Sequence, residues 1–482
     1  MERIIEWREY NETVIHPVAL VFTLAMGVWL VQTRRDRAVL PFLLVACLIP
    51  VAQRVVIGTL DFNMSRILIL FGWTRLLLRN EMGAFAWSRM DAAFVAWLVI
   101  GTVTHVAREL SVGALVYRLG VIFDACGIYF MLRMLLRSSS EIFRALFQLA
   151  GIACLVGFFM LIENITARNY FSVFGGVHEY TQIRYGRLRC QGAFSHPIMA
   201  GSFGAGLVPL LASATVLSRS RRRILAAVGA LASVVIVVTS ASSGPVLALL
   251  AAVVGGLLFP VRRHMRWILR GTVAILVILH FVREQPVWHL IGRLSELIGG
   301  TGYHRVRLIN AFVEHWSEWL LVGTSSTAHW GWGLQDITNH FILQGVRGGI
   351  FTFAGFVVLL AISFACVGEV LRRSARASWL PRRRRRALQI LAWGLGTSLA
   401  THCVAWIGVS YFGQMDLILY MLFALIAALP ETPELRRPPP SPRDAPASTK
   451  SSPPPVPSRT RGARAWWGVR RTAPPGGMRG EA

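Results

Sequence analysis

The sequence predicts an all-α, polytopic transmembrane helix bundle with about 12–13 spans and two long outward loops. Of its 482 residues, 54% are hydrophobic and only 15% are charged. Long apolar runs follow one another along most of the chain and are separated by arginine-rich segments. A soluble domain of this length does not combine so much apolar sequence with so little charge. These observations indicate an integral membrane protein.

The apolar runs set the number of predicted spans. A helix needs about 20 apolar residues to cross the hydrocarbon core, since each residue adds about 1.5 Å. The run at 64–78 is short and contains Arg66 and Arg75, so it is either a span or a re-entrant or interfacial helix. The thirteen candidates are 14–32, 38–57, 64–78, 92–107, 112–132, 143–162, 197–217, 224–240, 244–260, 267–282, 341–367, 388–410 and 414–429.

Arginine-rich segments predict the orientation of the bundle, because short cytoplasmic loops carry an excess of arginine and lysine. Six such segments share one side only if 64–78 crosses the membrane, which places the N-terminus outside and the C-terminus inside. The long loops at 163–196 and 283–340 then face outward. The six basic segments are 33–37, 79–89, 133–144, 218–223, 262–266 and 372–386.

One membrane domain, 14–430, is predicted between two polar ends. Residues 1–13 form an outer leader, and the first apolar run has no small-residue cleavage site, which favours a retained helix over a signal peptide. Residues 431–482 are rich in Pro, Ser and Arg and are predicted to be a disordered cytoplasmic tail. All cysteines except Cys190 lie in apolar runs, which argues against a disulfide or metal framework.

Charged residues inside the spans need partners, because an isolated charge at membrane depth is costly. Asp124 lies in the middle of the run at 112–132. We expect it to form an ion pair with Arg118 or Arg66.

The first long outward loop is rich in arginine, although an excess of arginine is expected in cytoplasmic loops. Arg184, Arg187 and Arg189 lie close together in this loop. A guanidinium group binds a diphosphate or a carboxylate through two parallel hydrogen bonds. The cluster therefore indicates a site for an anionic, lipid-anchored ligand. The alternatives are ion pairs with Glu163 or Glu179, or contact with lipid phosphates.

The second long outward loop repeats this theme. Arg305 and Arg307 precede an amphipathic run, and Trp330 and Trp332 follow among glycines. Aromatic rings beside polar groups suit the binding of sugar rings. Tryptophans also anchor many membrane proteins at the lipid–water interface, which is the alternative interpretation.

Three motifs resemble those of the O-antigen ligase and polymerase family over roughly residues 184–368. They are RLRCQGAFSHPIMAG, the small-residue turn TSASSGPVLALL, and a long loop that runs from Arg through GT to Asn-His and Gly-Gly. The resemblance implies a metal-independent membrane glycosyltransferase that uses no cofactor and takes a polyprenyl-diphosphate-linked glycan as its donor. In this family, outward arginines hold the donor diphosphate and an outward histidine deprotonates the acceptor hydroxyl.

The resemblance also assigns individual residues. Arg189 matches the arginine before the Gly-Ala-Phe, Arg305 the arginine that opens the long loop, and Asn339 the asparagine before the last long helix. Most members have a histidine directly before that asparagine, whereas this chain has Thr338 there and His340 after it. The implied catalytic residues are Arg189, Arg305 and His340.

Other outward residues complete the predicted site. Histidine has the intermediate pKa that a base for a sugar hydroxyl needs, so His196 and His304 are alternatives to His340. The predicted substrate-binding residues are Arg184, Arg187, His196, Arg307, Asn339, Trp330 and Trp332.

By the same resemblance, the protein is expected to be a polymerase in surface polysaccharide assembly. It would lie in a bacterial inner (cytoplasmic) membrane with its active site on the outer face. Its expected partners are the lipid-linked donor, a saccharide or lipid acceptor and membrane lipids, but no nucleic acid. The alternatives are a ligase that transfers the finished glycan to a lipid or protein, and a transporter or flippase. Transporters often contain inverted repeats, and we see no internal repeat in the sequence.

Overall fold

The structure, a computed structural model, describes residues 12–58, 60–83, 85–297 and 302–435, with the side chains of all of these except 294–297. The described chain consists of helices and two small antiparallel hairpins, which confirms the predicted all-α class. Most of the predicted leader and the predicted tail beyond residue 435 lie outside the described residues.

Helices follow one another along most of the described chain. They are α1 Pro17–Gln32, α2 Val39–Leu48, α3 Met64–Leu78, α4 Arg89–Glu109, α5 Val112–Leu135, α6 Ser139–Thr166, α7 Pro197–Leu217, α8 Ser220–Thr239, α9 Ser243–Leu257, α10 Met265–Val282, α11 His289–Leu297, α12 Gly302–Glu314, α13 Trp316–Trp319, α14 His340–Arg376, α15 Arg382–Trp406 and α16 Gln414–Ala428. The strands are β1 Arg54–Ile57, β2 Leu60–Asn63, β3 Gln182–Arg184 and β4 Arg187–Arg189.

Each of the thirteen predicted apolar runs contains a helix, namely α1 to α10 and α14 to α16. The run at 38–57 is the clearest departure in length, because α2 already ends at Leu48 and the end of the run belongs to β1. Pro50 explains this early end, since a proline disfavours the helical conformation of the residue before it and cannot continue the helix itself.

The protein is an integral membrane protein by the length and composition of its helices. Among the described residues, eight helices, some with adjoining 3-10 turns, are long and apolar enough to cross a membrane. Helices α1 and α9 are apolar but shorter, with 16 and 15 residues. The larger number of 12–13 spans stays a prediction. The eight candidate spans are α4, α5, α6, α7, α8, α10, α14 and α16.

Two hydrogen bonds join basic segments that are predicted to face the cytoplasm to neighbouring parts of the bundle. Arg35 donates to a carboxylate oxygen of Glu141 at 2.9 Å, which joins the first basic segment to the third. Arg89 donates to Glu369 at 3.0 Å, which joins the second segment to the last part of α14. We call the end of the bundle that carries these contacts the inner end, following the predicted orientation.

The opposite end, called the outer end, gathers the outward loops. The Cys190 N–H donates to the Thr239 carbonyl oxygen at 3.0 Å, so the first long loop contacts the end of α8. Ser195 donates to the Gln414 side chain at 3.1 Å, which joins the same loop to the start of α16. The arginine-bearing loop is therefore fixed to two helix ends of the bundle.

An ion pair joins α3 to α5 within the bundle. Arg66 donates from Nε and Nη2 to the two carboxylate oxygens of Asp124, each at 2.8 Å. Arg66 also pairs with Asp61, which lies in β2. Of the two partners expected for Asp124, Arg66 is therefore the one that forms the ion pair.

Helix α14 is broken near the outer end. Its 37 residues would span about 55 Å at 1.5 Å each, far more than the hydrocarbon core of about 30 Å. Gly348 and Gly349 have non-helical backbone angles, and a side chain at Gly349 would collide with the Leu321 carbonyl. Arg108 donates to the Val346 carbonyl oxygen at 3.1 Å. The break divides α14 into a half-helix, 340–347, and the long candidate span that follows.

Helix α10 stands apart from the rest of the bundle. None of its residues is buried against the described part of the chain. Most of its apolar side chains, such as Phe281 with 81% exposure, lack protein cover in the described structure. In a bilayer, lipid provides that cover.

Candidate functional site

The three arginines of the first long loop lie on one face of the hairpin β3–β4. Tyr185 and Gly186 connect the strands with φ angles of 51° and 70°, which is the left-handed geometry of a two-residue hairpin turn. Arg184 pairs with Arg187 across the strands, and Arg189 lies two residues further along β4. Because alternate strand residues share a face, all three guanidinium groups belong to the same face. Like charges side by side destabilise a hairpin, so this face favours an anion.

A cavity of about 960 Å³ brings the two long outward loops together. Its wall contains the three hairpin arginines and also Arg305 from α12. The described lining has four guanidinium groups and no carboxylate. The sequence predicted both arginine groups as parts of a site, and the structure places them around the same space.

Arg189 is the most enclosed of the hairpin arginines, with 7% exposure. Its Nη2 donates to the Ser242 hydroxyl at 3.1 Å, whereas its Nε is buried and has no hydrogen-bond partner within the described chain. Burial lowers the pKa of the guanidinium, and the nearby charge of Arg184 lowers it further. An anion in the cavity would stabilise a positive charge held in this way.

Arg305 reaches the cavity from the second long loop. It is buried, and burial lowers its pKa. Its guanidinium packs against Gly408, where a Cβ atom would lie 2.8 Å from Nε and 2.9 Å from Cζ. Glycine at this position therefore allows the arginine to fit beside the segment between α15 and α16.

Two glutamates that the sequence offered as partners for the hairpin arginines have other partners. Glu163 accepts hydrogen bonds from the backbone N–H groups of Gln191 and Gly192, at 3.1 and 2.8 Å. Glu179 pairs with Arg168 at 2.8 Å. Glu163 thus holds the backbone directly after β4. It does not neutralise the charges of the hairpin arginines.

Sequence analysis did not assign the start of α9, although Ser242, Ser243 and Gly244 line the cavity. These residues belong to the small-residue turn that contributed to the family resemblance. The signal in the sequence was the Ser-Ser-Gly-Pro at a helix start, which is typical of a helix N-terminus. Asn164, at the end of α6, also lines the cavity and was missed.

His340 and Asn339 lie at the start of the half-helix of α14 and are not among the described lining residues. His340 is buried, and its Nδ1 accepts a hydrogen bond from the Tyr411 N–H at 3.1 Å. The imidazole stacks on Trp406 with ring centroids 5.2 Å apart. Asn339 caps the half-helix by accepting from the Phe341 N–H at 3.0 Å.

The other outward histidines have different surroundings. His196 caps α7, with its Nδ1 accepting from the Ile198 N–H at 3.1 Å. Burial and the charges of Arg189 and Arg184 lower the pKa of His196 to about 4, so it is neutral at physiological pH. His304 lies near Asp336. Burial raises the pKa of the Asp336 carboxyl group, and the charge of His304 lowers it by a smaller amount.

The remaining predicted ligands lie away from the described cavity lining. The Arg307 guanidinium is 5.8 Å from the centre of the Tyr303 ring. Trp330 is buried in a small apolar cluster and donates from Nε1 to Glu318 at 2.9 Å. Trp332 is 91% exposed. Their roles in substrate binding stay predictions.

Among the described residues, no group of three or more His, Cys, Asp or Glu side chains has the arrangement of a metal site. Comparison with known proteins adds no family, because no family model and no curated protein matches this chain. The cavity and its chemistry are therefore the basis for a functional proposal.

Proposed function

We propose that this protein is a membrane glycosyltransferase of the O-antigen ligase and polymerase type. It would transfer a glycan from a polyprenyl-diphosphate donor to a sugar hydroxyl, as a polymerase in surface polysaccharide assembly. The observation that carries the proposal is the convergence of Arg184, Arg187, Arg189 and Arg305 on one cavity whose described lining has no carboxylate. The proposed location is the outer face of a bacterial inner membrane.

The proposed reaction needs fixed positive charge at the leaving group. The acceptor oxygen forms a new bond to the anomeric carbon while the bond from that carbon to the diphosphate oxygen breaks. Negative charge then develops on the departing lipid diphosphate, and guanidinium groups held in place stabilise it without having to reorganise. Arg189 and Arg305 are both buried beside the cavity and meet this requirement.

The apolar part of the cavity wall supports a ligand attached to lipid. Val238 lines the cavity, lies in the candidate span α8 and is 66% exposed. An anionic headgroup at the arginines could therefore keep its hydrocarbon chain against an apolar surface at the membrane. A volume of about 960 Å³ is also at the upper end of the range for small-molecule sites, roughly 300–1,000 Å³.

We assign the acceptor proton to an outward histidine, with His340 as the first candidate. The segment after α15 supports this position, because Arg305 packs against Gly408 and the nearby Tyr411 N–H donates to His340. The Nε2 atom of His340 is 3.3 Å from the Gln344 amide nitrogen. Because Nδ1 accepts from the Tyr411 N–H, the neutral ring carries its proton on Nε2. To act as the base, His340 would have to exchange the Tyr411 hydrogen bond for one from the acceptor hydroxyl, at about 2.6–3.2 Å. His196 and His304 are the alternatives.

A lipid-linked glycan transporter is the second candidate, and the break in α14 favours it. Broken helices near a polar site are common in transporters, usually in corresponding positions of two repeats. The break at Gly348 and Gly349 has non-helical backbone angles. A ligase that uses another acceptor is the third candidate, because the arginine cavity concerns only the donor.

Reconstituted protein can distinguish these candidates. Full-length protein in vesicles is given a defined polyprenyl-diphosphate glycan on the outer side, together with a second copy of the lipid-linked unit as acceptor. We expect longer glycan on one carrier and free polyprenyl diphosphate from the other. Movement of the donor across the bilayer without a product would contradict the enzyme proposal and support a transporter. Product only with a lipid or protein acceptor would support a ligase.

A further inference from the structure

We infer that the first turn of α9, residues 242–244, is a phosphoryl-binding cradle opposite Arg305, which takes one phosphoryl group of the donor diphosphate on backbone N–H groups. This inference rests on the proposed function for the identity of the ligand. The cradle itself follows from the local sequence, the capping of α9 and the position of one glycine.

Helix α9 begins without the usual side-chain cap. Ser243 and Gly244 are its first two residues, and N–H groups at these positions have no acceptor within a helix. A serine just before a helix normally accepts from one of the next N–H groups, but Ser242 makes no such bond. The next residue, Pro245, has no N–H. Two backbone donors are thus available at the positive end of the helix dipole.

The hydroxyl of Ser242 is used for another purpose. It donates to the Ser240 carbonyl oxygen at 2.9 Å and accepts from Arg189 Nη2 at 3.1 Å. This contact joins the helix start to the buried arginine whose Nε has no partner in the described chain. The uncapped helix start and Arg189 both line the same cavity, and both favour an anion.

Gly244 shows where the anion fits. A Cβ atom at this position would have one neighbour within 4 Å, the Nη2 atom of Arg305 at 3.8 Å. The fold therefore has space for a side chain here, and the backbone does not require a left-handed conformation. Glycine in a helix is less stable than alanine by roughly 0.5–1 kcal/mol. A glycine that packing does not demand is explained if an oxygen of the ligand approaches the backbone between Gly244 and Arg305.

The substitution Gly244→Ala tests the cradle. The probe is farnesyl diphosphate, a short prenyl diphosphate, titrated against full-length protein in lipid nanodiscs. The added methyl group lies in the gap before Arg305, so we expect diphosphate affinity to fall at least roughly tenfold, the value of one hydrogen bond to a charged group. Thermal unfolding should be unchanged or slightly higher, because alanine favours the helix.

Gly256→Ala is the matched control in the same helix. A Cβ atom at Gly256 would have no neighbour within 4 Å, so this variant gains the same helix preference at a distance from the cavity. We expect it to bind farnesyl diphosphate as the wild type does. Free pyrophosphate is the second probe, and it should compete with farnesyl diphosphate in the wild type and compete less well in Gly244→Ala.

The outcomes distinguish a failure of the cradle alone from a failure of the proposed function. Wild-type affinity in Gly244→Ala, with binding lost in Arg189→Lys, would overturn the cradle and leave the arginine site intact. Equal losses in Gly244→Ala and Gly256→Ala would also overturn it, since the effect would then be a property of the helix. If the wild type binds neither probe, the proposed diphosphate donor fails and the cradle fails with it.

Discussion

Arg133 at the inner end and Arg189 at the outer end are both buried, but their partners differ. Arg133 donates from Nε and Nη2 to the two oxygens of Asp91, each at 3.0 Å, and Tyr129 donates to the same carboxylate at 2.7 Å. Arg189 has a hydroxyl group, Ser242, and a buried Nε without a partner in the described chain. A buried charge is costly unless it is paired. Within the described chain, the fold pairs the first arginine with a carboxylate and gives the second only a hydroxyl group.

Arg75 repeats the inner pattern. It is fully buried, donates from Nε and Nη2 to Glu81 at 2.9 Å, and from Nη1 to the carbonyl oxygens of Leu30 and Thr33 at 2.7 Å. Burial of an arginine in this protein therefore does not by itself indicate a binding site. The distinguishing observation is the lack of a carboxylate beside Arg189 within the described structure.

The largest expected effect concerns stability at the inner end. Arg133→Gln leaves Asp91 buried without its ion pair, so we expect a loss of about 3–5 kcal/mol in the free energy of unfolding. Arg189→Gln removes a buried charge that has no carboxylate partner in the described chain, so we expect stability to be unchanged or higher by about 1 kcal/mol. Chemical denaturation of both variants in detergent micelles measures the contrast. An equal loss in the two variants would remove the distinction between them.

The next effect concerns donor binding. Arg189→Lys keeps the charge but loses the planar fork, and we expect affinity for a prenyl diphosphate and turnover to fall by roughly 100-fold or more. Arg168→Lys is the control, because Arg168 lies in the same loop and forms an exposed pair with Glu179, and such pairs contribute little. Isothermal titration with both variants gives the answer. Wild-type affinity in Arg189→Lys would show that only the positive charge at this position matters, and not the planar fork of the guanidinium.

A comparable effect on turnover, with donor binding retained, is expected at the start of α14. His340→Ala should lower turnover by roughly 10²-fold if His340 takes the acceptor proton. His304→Ala is the comparison, since His304 lies on α12 near Asp336. Single-turnover kinetics with a labelled donor, together with a titration of donor binding, would measure both steps. Wild-type turnover in His340→Ala would return the role to His196 or His304.

The smallest effect is a pH dependence at the outer end. The pKa of His196 is lowered to about 4 in the folded protein, so between about pH 6.5 and 4 the unfolded chain binds a proton that the folded chain does not. Wild-type stability should therefore fall as the pH falls through this range. His196→Asn keeps a helix-capping side chain and should reduce that loss by about 1–2 kcal/mol at pH 5. Denaturation midpoints at pH 7.5 and 5 measure it, and parallel curves would contradict it.

The helices could be predicted because apolar length is a local property of the sequence. All thirteen apolar runs contain helices. The first and third basic segments are in contact through Arg35 and Glu141, whereas the placement of all six on one side of the membrane stays a prediction. The early end of α2 and the break at Gly348 and Gly349 were missed, because they depend on the turn at Pro50 and on contacts with Leu321.

The site was predictable in composition but not in arrangement. Positive charge in two loops that are predicted to face outward led to Arg189 and Arg305 as separate candidates. Their common cavity arises from tertiary contacts that no local pattern encodes. The hairpin register that places Arg184 beside Arg187 was not predicted either. The start of α9 stands out in the sequence only as part of a motif, because the meaning of its glycine depends on the distance to Arg305.

Because of helix α10, we expect the turnover of this protein to depend on the thickness of the bilayer. No residue of α10 is buried against the described chain, so its tilt is set by the match between its apolar length and the hydrocarbon core. The chain continues from α10 through α11 to α12, which carries Arg305. A thinner membrane should tilt α10 and pull on that connection, so turnover in vesicles of short-chain and long-chain lipids should differ. Equal turnover in the two kinds of vesicle would show that the tilt of α10 does not affect the position of Arg305.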